Sequence, residues 1–277
     1  MFLENLKQIY QLNKGKQALL LRNILKETVQ FYILDYIYKS VWGESFVMKG
    51  GTCLRFCFGL PRLSEDLDFD IENYDKFKID LFVKKIKEYF TGNLQYRNFS
   101  IKTARSEKIL YLKFPILQEL GQDISKTESN ILHVRIDLSQ TAGKSYRTEI
   151  SIKSTYDFSF IIRRYSLPDL FTGKLAAILT REAWEGKVKK ARYKGRDYYD
   201  LIWFLEKNVL PNWLLLEEIT GLGREKAVAG LEEKIKEAEP NFLKDDLLPF
   251  IENIKFVENF SQNFKQLFEQ YRSVLKK

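Results

Sequence analysis

Hydrophobic residues change their spacing twice along this chain. In residues 16–40 (KQALLLRNILKETVQFYILDYIYKS), Leu21, Ile24, Leu25, Val29, Ile33 and Ile37 recur at helical intervals, which predicts one or two helices. A short strand is expected at Phe46–Lys49. The pair Gly50-Gly51 interrupts it, and Thr52 is placed to cap a helix over Cys53–Phe58 that Gly59 and Pro61 end. Residues 65–71 (EDLDFDI) then alternate, with Asp66, Asp68 and Asp70 on one side of a strand and Leu67, Phe69 and Ile71 on the other. A helix over residues 75–90 precedes strand-like runs at 99–104, 109–116, 131–138, 147–152 and 158–164. Within the third run, Val134, Ile136 and Leu138 face one way and His133, Arg135 and Asp137 the other.

From Ser166 onward the period is helical. Ser166-Leu-Pro-Asp169 reads as a capping-box-like start with proline in the first turn. That helix is expected to reach Glu182, with a basic loop and then a helix over Asp197–Lys207. The remainder reads as several amphipathic helices, including the aromatic-rich 256–271, whose rings suit a core or a partner platform. The fold class implied is α+β, with a mixed β-sheet flanked by helices over 1–165 and an all-α half over 166–277. No repeat or low-complexity linker separates the halves, so close packing is expected.

With 277 residues, 45% of them apolar, the chain can bury a sizeable core. It shows neither a long uninterrupted apolar run nor a signal-like N-terminus, so a cytoplasmic protein without membrane contact is expected. Cys53 and Cys57 read as buried reduced thiols. A single histidine, His133, rules out a multi-histidine metal site and leaves little room for histidine-driven nucleophilic chemistry. Carboxylates, lysines and arginines must therefore carry any chemistry. The net charge of +8 points to a polyanionic partner.

Two carboxylates at i and i+2 on a strand lie close enough to share a cation, and three repel one another unless cations neutralise them. A glycine pair opening a helix lets a phosphate approach backbone N–H groups. A phosphate cradle followed by metal-holding acids is what phosphoryl or nucleotidyl transfer requires. A third acid on a neighbouring strand would complete a two-metal site, and Asp137 meets the alternation test. Further on, Lys174 and Arg181 fall on one helix face, and Asp197 and Asp200 lie one turn apart at a helix start. Between them, Lys187, Lys189, Lys190, Arg192, Lys194 and Arg196 make six basic residues in ten, a segment suited to nucleic-acid phosphates. Tyr198, Tyr199 and Trp203 are expected to pack between helices.

These motifs together resemble the AbiEii/AbiGii toxin family, nucleotidyltransferases of the DNA polymerase beta superfamily that include the MenT-type toxins. The matching residues are Lys49-Gly-Gly-Thr52 with Leu54-Arg55, Gly59-Leu-Pro-Arg62, Ser64-Glu-Asp-Leu-Asp-Phe69 and Val134-Arg-Ile-Asp137. The match continues through Asp169–Ala176 with Arg181 and through Lys194–Leu201, spanning residues 16–206. The resemblance implies a nucleotidyltransferase toxin of a toxin–antitoxin (abortive infection) system that moves NMP from an NTP to an RNA acceptor, a tRNA 3′ end, and blocks translation. It implies two Mg²⁺ ions held by Asp66, Asp68 and Asp137, with Lys174 and Asp197 completing the catalytic set. It assigns the nucleotide to Lys49, Gly50, Gly51, Thr52, Ser64, Lys174, Arg181 and Asp200, and it implies a cognate antitoxin. Transfer to a protein or small molecule, or an NTP/RNA-binding module without turnover, are the alternatives.

Overall fold

A computed structural model describes residues 2–105, 108–121, 129–185, 188–191 and 194–277. The side chains of 182–185 and 188–191 lie outside that description. The chain forms two compact units, one of residues 1–141 and 150–164, the other of 142–149 and 165–277. A boundary drawn at 165/166 takes no account of 142–149, which groups with the helices.

The first unit opens with α1 (Phe2–Asn13) and α2 (Ala18–Lys39). Next come β1 (Phe46–Lys49), α3 (Gly50–Phe58), β2 (Asp66–Ile71), α4 (Ile79–Glu88), β3 (Ser100–Ala104), β4 (Ile109–Pro115), β5 (Ile131–Gln140), β6 (Thr148–Ser154) and β7 (Ser159–Tyr165). Helix α1 escapes the sequence reading although Phe2, Leu6 and Tyr10 repeat at four-residue spacing and are buried. The helix expected over 75–90 is shorter, because a single 3-10 turn at Tyr74–Lys76 and a π turn at Tyr89–Asn93 flank α4.

The strands form one mixed sheet in the order β3-β4-β5-β2-β1-β7-β6. β2 runs parallel to β5 and β1 to β7, whereas β1–β2, β3–β4 and β4–β5 are antiparallel. One sheet face is apolar: Leu67, Phe69, Leu110, Leu112, Phe114, Val134, Ile136 and Leu138 are buried there. Phe2 bridges this face to the helices, with ring centroids 5.0 Å from Tyr32 and 5.9 Å from Phe114. Phe46 does the same for α4, 5.3 Å from both Phe69 and Phe82. The opposite face keeps the polar half of each alternation, including the acids of β2 and β5.

The second unit contains α5 (Leu167–Thr180), the hairpin β8 (Glu182–Glu185) and β9 (Val188–Ala191), α6 (Gly195–Glu206), α7 (Trp213–Thr220), α8 (Arg224–Glu237), α9 (Pro240–Leu247) and α10 (Ile254–Tyr271). Ser166 caps α5 by accepting the Asp169 N–H, as its sequence suggests. α5 stops at Thr180, and the expected basic loop instead holds two paired strands. Phe171 stacks on Phe204 at 4.5 Å, joining α5 to α6. Tyr198 and Tyr199 meet Phe264 and Phe260 of α10 at 5.3 and 5.1 Å, so these tyrosines pack between helices. Residues 142–149 join this unit through polar contacts: Asn212 Nδ2 donates to the Ser145 carbonyl at 2.5 Å, and Glu218 accepts from the Lys144 N–H at 2.6 Å. Among the described residues no helix is long and apolar enough to cross a membrane.

Candidate active site

The first unit builds its site where β1 turns into α3. Gly50 sits at φ +76, in the left-handed region that glycine tolerates best. A Cβ there would run into the Asp68 carboxylate, with the carboxyl carbon at 2.9 Å. A Cβ on Gly51 would lie 2.8 Å from Arg62 Nη2 and 2.9 Å from Ser64 Oγ. The two glycines are therefore needed because side chains from the next loop and strand press on the turn. Asp68 meets the N-terminal end of α3, where the helix dipole favours negative charge.

Thr52 does not cap α3 as its sequence position suggests. The helix begins at Gly50, so Thr52 lies inside the first turn, fully buried, and its Oγ1 donates to the Asp66 carbonyl at 2.5 Å. That bond ties the first turn of α3 to the start of β2. Ser64, also buried, has its carbonyl held by Gln30 Nε2 at 3.2 Å. Arg62, fully buried and matched only as part of a motif, has its guanidinium beneath Gly51 and donates to the Leu63 carbonyl at 2.9 Å.

Strand register brings the predicted acids of β2 and β5 together. Asp66 lies opposite Arg135, Asp68 opposite Asp137 and Asp70 opposite Ser139, while Lys49 of β1 lies opposite Asp68. Since facing residues share a sheet side, these charges form one polar patch. Asp137 gives both oxygens to Arg135: Nε reaches Oδ1 at 2.7 Å and Nη2 reaches Oδ2 at 2.5 Å. Partial burial pulls the Arg135 pKa down, and the hydrogen bond and charge of Asp137 outweigh it, leaving it raised.

Asp70 shares the strand side of Asp66 and Asp68 but is enclosed by its neighbours. It is buried, and its Oδ1 accepts from Lys49 Nζ at 2.6 Å and Ser139 Oγ at 2.7 Å. Lys49 Nζ also donates to Ser139 Oγ at 2.9 Å, so the lysine assigned to the nucleotide has two protein partners. Sequence reasoning missed Ser139, although it stands two positions after Asp137 in the same alternation.

Among the described residues, no three His, Cys, Asp or Glu side chains converge on a common metal position. On β5 the carboxylate expected to be the third, Asp137, is held by Arg135. The donor chemistry nevertheless fits Mg²⁺, which takes one or two carboxylates together with phosphate oxygens. Asp66 and Asp68 carry such oxygens, and Asp68 lies against the first turn of α3.

The remaining predicted residues belong to the second unit and form a cluster of their own. Lys174 Nζ is 3.0 Å from Asp197 Oδ1 and 2.7 Å from Asp200 Oδ2, and Arg181 Nη1 closes on Asp197 Oδ2. Burial pushes the Asp197 carboxyl up, but the Lys174 and Arg181 cations outweigh it and hold it far below the usual carboxylate range. Asp197 is not a helix cap, because α6 starts at Gly195 with Lys194 at the capping position. Gly195 sits against α9, where a Cβ would be 2.9 Å from the Leu243 backbone.

Of the six basic residues expected to meet nucleic acid, Lys187 and Arg192 lie outside the described residues, as do the side chains of Lys189 and Lys190 on β9. Lys194 is half-buried. Arg196 is turned inward: Nε pairs with Asp246 Oδ2 at 3.4 Å, and its guanidinium sits 4.2 Å above the Phe250 ring. Cys53 and Cys57 are free thiols; Cys53 is buried as expected, Cys57 is only half-buried, and burial raises the Cys53 pKa well above its ordinary value.

The profile of the family described as "Nucleotidyl transferase AbiEii toxin, Type IV TA system" matches residues 32–273. A crystal structure from H. pylori of a candidate nucleotidyltransferase is similar at 17% identity and TM-score 0.45, covering 90% of this chain and 96% of that one. The structure of JHP933 from Helicobacter pylori is similar at 19% identity and TM-score 0.43, covering 92% of this chain and 98% of that one. No curated protein matches the chain.

Proposed function

This chain belongs to the AbiEii family of nucleotidyl transferase toxins of type IV toxin–antitoxin systems, and from that premise we propose that it moves NMP from an NTP to the 3′ end of an RNA. The observation that supports this most directly is the register of Asp66 and Asp68 with Arg135 and Asp137, beside a helix start against which Asp68 packs. The acceptor hydroxyl attacks the α-phosphorus of the NTP, the bond to the β-phosphate oxygen breaks, and pyrophosphate leaves.

The triphosphate is assigned to the N-terminal turn of α3 at Gly50 and Gly51, where backbone N–H groups favour negative charge. Thr52 and Arg62 keep that turn in place. Asp66 and Asp68 would hold Mg²⁺, and Asp137 would join them once Arg135 turns aside. Bound there, Mg²⁺ would stabilise the attacking and leaving oxygens. Asp137 also orients the attacking hydroxyl and takes up its proton. Lys174 is assigned to the triphosphate, with Asp197 and Asp200 holding its ammonium in place. A tRNA end is the proposed acceptor, blocked translation the outcome, the cytoplasm the place, and a cognate antitoxin the restraint.

Total RNA incubated with Mg²⁺ and each α-labelled NTP, followed by sequencing of labelled 3′ ends, tests this reading. It expects label on a defined set of RNA ends and none with Asp66→Ala. Label on protein or on a small molecule in place of RNA would refute the acceptor.

A further inference from the structure

The polar face of the sheet extends past the acids. Across four strands, Lys102 of β3, Tyr111 of β4, Arg135 of β5 and Asp66 of β2 stand in one row. The adjoining row carries Ser100, Lys113 and His133. With strands about 4.8 Å apart, Lys102 stands about 14 Å from Asp66.

Lys102 is exposed, while Tyr111, Lys113 and His133 are half-buried. None of these four makes a side-chain hydrogen bond or ion pair among the described residues. Some other cations of this unit have acids: Lys26 pairs with Glu65, Arg55 with Glu27 and Arg163 with Glu72. Among the described residues, the strip beyond Asp66 thus presents two lysines without acid partners and two ring side chains on one side of the sheet. Burial lowers the His133 pKa, and the charges of Lys113 and Lys26 lower it further, the mark of a positive field.

We propose that this open face of β3, β4 and β5 is the bed for the acceptor's single-stranded RNA end, with Lys102 and Lys113 on phosphates and Tyr111 and His133 under bases. The proposal rests on the nucleotidyl-transfer reading and names where its acceptor lies. A sheet face bearing rings and cations suits unpaired bases, whose faces are free to stack, and the row leads the strand's end to Asp66 and Asp137. A duplex hides those faces, and an acidic peptide offers none.

Anisotropy with a fluorescein-labelled single-stranded RNA tests the bed without NTP, against duplex RNA and polyglutamate as competitors. Lys102→Glu/Lys113→Glu is expected to weaken binding about tenfold or more and to lower the salt slope by about 1.4. Tyr111→Ala/His133→Ala is expected to cost about thirtyfold or more and leave the salt slope unchanged. Thermal unfolding checks that both variants fold. Wild-type affinity in either folded variant overturns the bed, as does equal competition by duplex or polyglutamate. Asp68→Asn should bind the RNA normally and transfer nothing. A wild-type chain that binds RNA through these residues yet transfers nothing refutes the reaction and leaves the bed standing.

Discussion

On the sheet, Asp137 gives both oxygens to an arginine of its own strand, and the two side chains remain 29% and 30% exposed. In the helical unit, Asp197 and Asp200 divide one lysine between them, with side chains 6% and 0% exposed. The difference is one of exchangeability. A solvated pair is worth little and can trade partners at small cost. A buried cluster has lost its water and cannot spare a member without leaving a bare charge behind. The sheet acids are suited to taking and releasing a cation, and the helical cluster to holding one lysine still.

Several substitutions would break this comparison or sharpen it. The largest effect is expected from Asp68→Asn, which keeps the shape of the strand but removes a metal-holding oxygen. Label transfer from an α-labelled NTP should fall about a thousandfold or more, about 4 kcal/mol of barrier, while the melting temperature stays near that of the wild type. Next is Lys174→Ala, which takes from the buried Asp197 and Asp200 the lysine they share and leaves Arg181 on Asp197. Urea unfolding should show a loss of about 3–5 kcal/mol. Gly50→Ala should cost about 1–3 kcal/mol, because it strains a left-handed position and pushes on Asp68, and thermal melts together with transfer rates would read both effects.

The acid limb of stability probes the buried cluster again. Asp197 titrates lower in the folded chain than the ordinary carboxylate value of about 3.9 in the unfolded chain. Its contribution is therefore fully present above that value and is lost as pH falls toward the folded one. Urea unfolding between about pH 5 and pH 2 should decline less steeply in Asp197→Asn than in the wild type. The smallest effect is expected from Arg135→Gln, which releases Asp137. Manganese binding followed by paramagnetic resonance should tighten about two- to fivefold, the scale of a solvated ion pair. Unchanged binding would mean that Arg135 does not compete for the third carboxylate.

The sequence carried the alternation of β2 and β5, because one face buries Leu67, Phe69, Val134 and Ile136 and the other cannot. The capping of α5 by Ser166 was equally local and equally legible. Contacts between distant segments were not. Thr52 has the chemistry of a cap, and only the approach of β2 gives its hydroxyl the Asp66 carbonyl instead. Asp70 looks like its neighbours in a period-two pattern, yet Lys49 and Ser139 close over it from the flanking strands. The glycine pair pointed to a phosphate cradle, but its packing against Asp68, Arg62 and Ser64 is a property of the fold. Arg196 belonged to a basic run by composition, and Asp246, fifty residues on, turns it inward.

The most direct test of the central claim follows the two ends of one NTP. With Mg²⁺ and acceptor RNA, label from the α-phosphate should appear on RNA, and label from the γ-phosphate should leave as pyrophosphate in equal amount. Asp68→Asn should abolish both. Release of γ-label as inorganic phosphate, or transfer that survives Asp68→Asn, would contradict nucleotidyl transfer at these acids.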